Sequence, residues 1–187
     1  GAVYLNVLHP DFETLLDSKK INADEKIRLT TLSIGAIIPD KFMELAEKNE
    51  NCYAFYPHSI YQKYGVHLDE IKMDEWYDKL AQDDEIEKKE INPRELLTRI
   101  AQTQQESGYP YVVFIDSANE QHTLKDVGMI KMSNLCCEIF QYQTPSDIKG
   151  YGQVSDWGQD ISCNLGSLNI ANVMDNKDIE KTIDVAI

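Results

Sequence analysis

The sequence contains no apolar run approaching the roughly 20 residues that a membrane-spanning helix requires. Cations are also scarce: 18 Lys and Arg stand against 32 Asp and Glu, a formal charge of −14. That deficit excludes a broad surface for a DNA or RNA polymer or for an anionic membrane. It does not exclude a single nucleotide, whose phosphates need only a few local cations or a helix N-terminus. Cysteine is sparse too, limited to Cys52, Cys136, Cys137 and Cys163, and these follow no paired Cys-x-x-Cys zinc spacing. A chain of 187 residues can bury a core without disulfide staples, so free thiols and a cytoplasmic location are expected. Cys136 and Cys137 are read as separate thiols, because a bond between neighbours would close a strained ring. Repeats and low-complexity linkers are missing, which leaves one domain over 1–187. The opening GAVYLNVLHPDF has neither the basic region nor the apolar block of a secretory signal. It starts without methionine in a strand-like run, as expected for a piece of a longer chain.

What is present alternates between strand and helix signals. Ala2 to Leu8 reads as a strand stopped by His9-Pro10, and Phe12 to Leu16 as a short helix. The polar, turn-like DSKKINADEK follows, and Leu29 to Ile38 returns to apolar, β-branched residues. Pro39-Asp40 launches a helix ending near Asn49. Asn51 to Leu68 is aromatic and irregular, Trp76 to Ala81 helical, and Asp83 to Glu90 an acidic connector. Asn92-Pro93-Arg94-Glu95 is a helix start with Asn92 as N-cap, and Gly108 then Pro110 end that helix. YVVFID, from Tyr111 to Asp116, fits a fully buried strand. Gly128 to Met132 and Asp160 to Ile170 read as further strands around a loop from Pro145 to Trp157. The alternation indicates an α/β fold, sheet or barrel.

The stretch richest in chemistry is SNLCCEI, Ser133 to Ile139. Asn134, Cys136 and Glu138 are spaced by two, which in an extended segment points all three to one face. An amide, a thiol and a carboxylate would there offer hydrogen bonding, a reactive sulfur and a general base. The same residues also fit a small buried hydrophobe flanked by turn-forming groups. Cys163, in DISCNLGS, lies in another strand-like run. Cys52 has no polar constellation around it.

Several ordered motifs carry a resemblance. SNLCCEIFQYQTP is similar to the finger-loop motif of ribonucleotide reductase large subunits, an Asn-Leu-Cys-x-Glu core followed by an apolar run and Thr-Pro. DISCNLGSLNI resembles that family's segment holding one member of a redox cysteine pair. GAVYLNVLHPDF, IRLTTLSIGAIIPDKFMELA and QQESGYPYVVFIDSAN match in the same order, and the likeness is nearest to the class Ib type. It implies part of a ten-stranded α/β barrel, with the specificity loop near 17–28 and the finger loop near 130–142.

The resemblance also implies roles. Cys136 would become a thiyl radical, generated through a separate dimetal small (beta) subunit, and take the 3′ hydrogen of a ribonucleoside diphosphate. Glu138 would act as general base, Asn134 would hold the ribose hydroxyls, and Leu135 and Cys137 would line the substrate. Cys163 would be one of two reducing thiols, its partner lying elsewhere in the family sequence. Lys19, Lys20, Asn22 and Arg28 would be effector-loop contacts for a dNTP or ATP, although a solvated lysine-containing loop fits equally. A thioredoxin- or glutaredoxin-like reductant and a homodimer of the full-length subunit are expected, with no metal in this chain. The later strands that bind substrate phosphates, the radical-relay tyrosines and the C-terminal cysteine tail are missing from these 187 residues. The isolated piece is therefore expected to be inactive. A cysteine hydrolase would need a histidine base, and none of His9, His58, His67 and His122 is tied to Cys136 by a motif. A glycyl-radical enzyme would need a glycine-radical motif that the chain does not show.

Overall fold

The computed structural model describes residues 1–175 and 177–187. A three-stranded parallel sheet lies at its centre: β1 (Ala2–Asn6), β2 (Ser33–Ile38) and β5 (Tyr111–Phe114), with β2 in the middle. Every residue of β2, SIGAII, is buried, as a continuous apolar run covered on both faces requires. The register aligns Tyr4, Gly35 and Tyr111 in one row across the sheet, and Leu5, Ala36 and Val112 in the next. Because side chains alternate along a strand, these rows face opposite ways.

The row of Leu5, Ala36 and Val112 faces the helices. It packs on the main core with Phe12 and Leu16 of α1 (Phe12–Asp17), Phe42 and Leu45 of α2 (Asp40–Lys48), and Leu96 and Ile100 of α5 (Pro93–Ser107). The three helices bury these residues because their apolar positions recur at helical spacing. Asn92 caps α5 by accepting from Glu95 N at 3.0 Å, and Gly108, at φ 78°, closes its C-terminus. Arg99 of α5 reaches Asp17 at 2.8 Å and also pairs with Glu13, so α1 is clasped to α5 by charge as well as by packing.

Between α2 and α5 the chain is more ordered than its sequence implies. The stretch read as irregular holds β3 (Cys52–Phe55) and α3 (Pro57–Tyr64), and the acidic connector ends in β4 (Lys88–Ile91), antiparallel to β3. A 3-10 turn (Leu68–Glu70) and α4 (Met73–Gln82) lie between them. The ring of Phe55 meets that of Tyr77 edge-on at 5.6 Å, which ties this pair of strands to α4.

Other readings need correction. The strand at Tyr111 ends at Phe114, and α6 (Ile115–Gln121) begins at once. Gly128 to Met132 is not a strand, because its backbone is paired by a side chain instead. Asn119 accepts from Ile130 N at 2.7 Å and donates to Ile130 O at 3.1 Å, so Ile130 has both partners a ladder would supply. The loop from Pro145 to Trp157 contains a hairpin, β6 (Asp147–Gly150) and β7 (Gln153–Asp156). Asp160 to Asn169 forms no strand, and among the described residues no strand pairs with it. Ile170, the last residue of the stretch read as strand, instead opens α7 (Ile170–Asp175), and α8 (Ile179–Ala186) follows. Among the described residues, no helix is long and apolar enough to cross a membrane.

The clasp on Glu13 makes the fold sensitive to acid. The hydrogen bond from Lys89 outweighs burial and, with the charges of Lys89 and Arg99, holds the Glu13 carboxyl below its ordinary value. A depressed folded value stabilises the fold above the usual glutamate range, and that contribution is lost as pH falls through the folded value. Thermal unfolding should therefore fall in midpoint between about pH 5 and about pH 3, and Glu13→Gln should flatten that decline. An equally steep decline in the variant would show that Glu13 contributes nothing to it.

Candidate functional site

The residues from Ile130 to Ile139 form a loop anchored to the sheet at several points. Ile130 is buried and held by Asn119, and Lys131 bridges Asp69 at 3.1 Å and Glu70 at 3.2 Å. Ser133, also buried, donates from Oγ to Ile139 O at 2.8 Å, which draws the two arms together. At the base, the ring of Tyr142 lies against Gly128 where any Cβ would sit, so only glycine fits there.

The tip is a turn and not an extended segment, which corrects the expectation that Asn134, Cys136 and Glu138 share a strand face. Cys137 N donates to Asn134 O at 3.2 Å, and Cys137 adopts φ 65° in the left-handed region. Asn134 Oδ1 accepts from Glu138 N and Ile139 N, each at 3.0 Å. An asparagine side chain that binds backbone a few residues on stabilises such a turn at the expense of the strand alternative. Those two donors also fix which side of the amide is oxygen. Among the described residues, its Nδ2 has no hydrogen-bond partner and remains free to donate outward.

The sequence candidates divide clearly. Asn134, Leu135, Cys136, Cys137 and Glu138 come together in this turn, with Leu135, Cys136 and Glu138 exposed and Asn134 and Cys137 half-buried. Cys137 also anchors the loop, its Sγ donating to Val112 O of β5 at 3.4 Å. Cys163 is exposed in irregular chain, and all four cysteines are free. Cys52 is inert by comparison, since burial pushes its thiol up to about 12.

Lys19 differs from its reading as an effector contact. It is 6% exposed, and its Nζ donates to Leu29 O at 2.6 Å and to Leu32 O, over the ring of Tyr109 at 4.4 Å. Its ammonium bonds carbonyls of the segment that follows the 17–28 loop, so it ties the start of the loop to the chain beyond its end. Lys20 pairs with Asp17 at 2.8 Å, while Asn22 and Arg28 are exposed.

The sheet contributes residues that sequence reading missed. Tyr4 Oη donates to Asn134 O at 2.6 Å. Burial first, and then the neighbouring Cys137 thiol, hold the Tyr4 phenol above its ordinary value, so it stays a protonated donor. The available signal was an aromatic residue in an otherwise aliphatic strand, but its partner depends on register. A cleft of about 270 Å³ opens at the carboxyl ends of β1 and β2, lined by Asn6, His9, His67, Asp116, Asn119 and Lys131. The tip residues do not line it. They stand on the sheet face that carries Tyr4.

A parallel sheet with helices on one face and a thiol-tipped loop on the other defines an α/β fold whose sheet is not closed into a barrel among the described residues. The family model of the ribonucleotide reductase barrel domain matches residues 1–187, and the chain belongs to that family. It is 50% identical over 186 residues to the ribonucleoside-diphosphate reductase subunit alpha of Bacillus subtilis, covering 100% of this chain and 27% of that protein. The subunit alpha of Mycoplasma genitalium is 45% identical, with 100% and 26% covered, and that of Synechocystis 33%, with 100% and 24% covered. The chain thus spans about a quarter of the length of these curated relatives.

If Asn134 Oδ1 organises the turn, Asn134→Ala should speed amide hydrogen exchange at Glu138 and Ile139 about tenfold or more, whereas Asn134→Asp should retain protection. Equal exchange in the two variants would contradict that role.

Proposed function

We propose that this chain is the segment of a ribonucleoside-diphosphate reductase catalytic subunit, of the class Ib type, that carries the radical cysteine, Cys136. The observation that carries the reading is the exposure of Cys136 at the tip of a multiply anchored turn, flanked by the free amide donor of Asn134 and the exposed carboxylate of Glu138. Family membership supports the chemistry, and the names of the relatives support the substrate class.

In this reading a separate small subunit with a dimetal centre supplies the oxidising equivalent, and Cys136 becomes a thiyl radical. The thiyl takes the 3′ hydrogen of the ribose, so an S–H bond forms as a C–H bond breaks. The two bonds are of similar strength, which keeps the step reversible. Glu138 accepts the 3′-hydroxyl proton, and the 2′-hydroxyl leaves as water with a proton from one of two reducing thiols. Asn134 Nδ2 donates to a ribose hydroxyl and orients the intermediate, while Leu135 and Cys137 form the loop wall near the substrate. These thiols, Cys163 and a cysteine outside this chain, supply two electrons and two protons, one proton to the departing water and one to the 2′ carbon, and end as a disulfide that a thioredoxin- or glutaredoxin-like protein reduces. Glu138 returns its proton to the 3′ oxygen. The hydrogen held on Cys136 then returns to the 3′ carbon and regenerates the thiyl. The product is the 2′-deoxyribonucleoside diphosphate.

The segment 17–28 serves in this reading as the loop that relays a bound nucleotide effector, with Lys20, Asn22 and Arg28 facing outward and Lys19 as its internal strut. Residues 1–187 belong to the catalytic barrel, and exposed Leu165, Leu168 and Ile170 are covered by the rest of it. The parent subunit acts as a homodimer.

The test is ribonucleoside-diphosphate reduction by the parent subunit with its small subunit. Cys136→Ser should abolish turnover, and Glu138→Gln should lower it by at least about a hundredfold, the scale of a lost general base. Activity surviving Cys136→Ser would end the radical reading and leave a binding module.

A further inference from the structure

The loop that carries Cys136 rests on the two outer strands of the sheet and passes over the middle one. Tyr4 and Tyr111 flank Gly35 in a single row. The Tyr4 ring lies directly over Gly35, where a Cβ would overlap its Cδ1 and Cε1. With no side chain on β2 at that point, the ring can lie across the strand and project its hydroxyl toward the loop. Its Oη reaches Asn134 O at 2.6 Å, the same carbonyl that closes the turn through Cys137 N. The bond therefore fixes the peptide plane leading into Leu135 and Cys136. On the other side, Cys137 Sγ donates to Val112 O of β5.

We infer that Tyr4 is a positioning residue for the Cys136 thiol, seated on Gly35 and acting through the Asn134 carbonyl. The inference rests on the reading of Cys136 as the hydrogen-abstracting group. The loop is mounted at two points, one on each outer strand, and Tyr4 is the mount nearer the residue before the thiol-bearing tip. Hydrogen abstraction depends steeply on the distance between sulfur and the ribose carbon, and a displacement near 1 Å can cost about a hundredfold in rate. A phenol suits this position because it reaches across a strand, has few rotamers to freeze, and stays protonated. Phenylalanine would keep the ring on Gly35 but release the carbonyl.

The experiment uses the parent catalytic subunit with its small subunit. Tyr4→Phe should lower kcat about tenfold, leave the substrate KM within about twofold, and speed amide exchange at Cys137, Glu138 and Ile139 about tenfold. Exchange in β1, β2 and β5 should not change. Gly35→Ala should reproduce the loss by displacing the ring, and should add nothing in a Tyr4→Ala background, where no ring remains to displace. An unaltered kcat, unaltered loop exchange, or exchange rising in the sheet together with the loop overturns the inference. Should Cys136→Ser retain activity, the radical reading fails on its own, and loop exchange in Tyr4→Phe still decides whether Tyr4 mounts the loop.

Discussion

The alternation of β2 is the constraint on which the remaining structure depends. Its six residues are buried on both sides of the sheet, yet the two sides serve different ends. Ala36 and Ile38 hold the helices through a core that runs from Phe12 to Ile100. Gly35 leaves a gap on the opposite side, and Tyr4 lies in that gap. A slip of one residue in the pairing of β1 with β2 would exchange these faces and send Tyr4 into the helical core. Apolar burial, at roughly 1.5–3 kcal/mol for each large side chain, sets the register, and the register in turn sets the support beneath the 130–139 loop.

The loop illustrates how polar groups replace regular structure. Ile130, Asn134 and Ile139 would each find ladder partners in a strand. Here Asn119, Tyr4, Ser133 and the side chain of Asn134 provide them. A loop satisfied in this way can be well defined without being paired, and it can turn sharply enough to lift one thiol away from the sheet while the next donates into it. Cys136 and Cys137 are neighbours in sequence with opposite surroundings, one exposed and one bonded to Val112 O.

Much of this was legible in the residues. The strands around Val3, Ile37 and Val113, the helices from Asp40 and Pro93, the Asn92 cap and the Gly108 terminus all follow from local signals that act within one turn of chain. Residues 134–138 stood out as a group in the sequence, and the structure brings them into one turn. Their geometry was not, since spacing by two means a shared face only in a strand, and Asn134 binding its own backbone turned the segment aside. The burial of Lys19 was not legible, because a lysine in a polar stretch normally faces water, and only the fold brings Leu29 O and Leu32 O to its ammonium. Ile130 was mistaken for strand because apolar spacing does not reveal whether a ladder partner exists. Tyr4 and Gly35 are far apart in sequence, and their contact needs the register that the whole sheet decides.

Alkylation mapping would show whether Cys136 meets the ribonucleotide, as proposed. The parent catalytic subunit would be treated with iodoacetamide, with and without a ribonucleoside diphosphate, and each cysteine peptide quantified by mass spectrometry. Cys136 should be labelled readily in the free subunit and protected by substrate, while buried Cys52 should be labelled in neither case. Equal labelling of Cys136 with and without substrate, at concentrations that saturate binding, would contradict it.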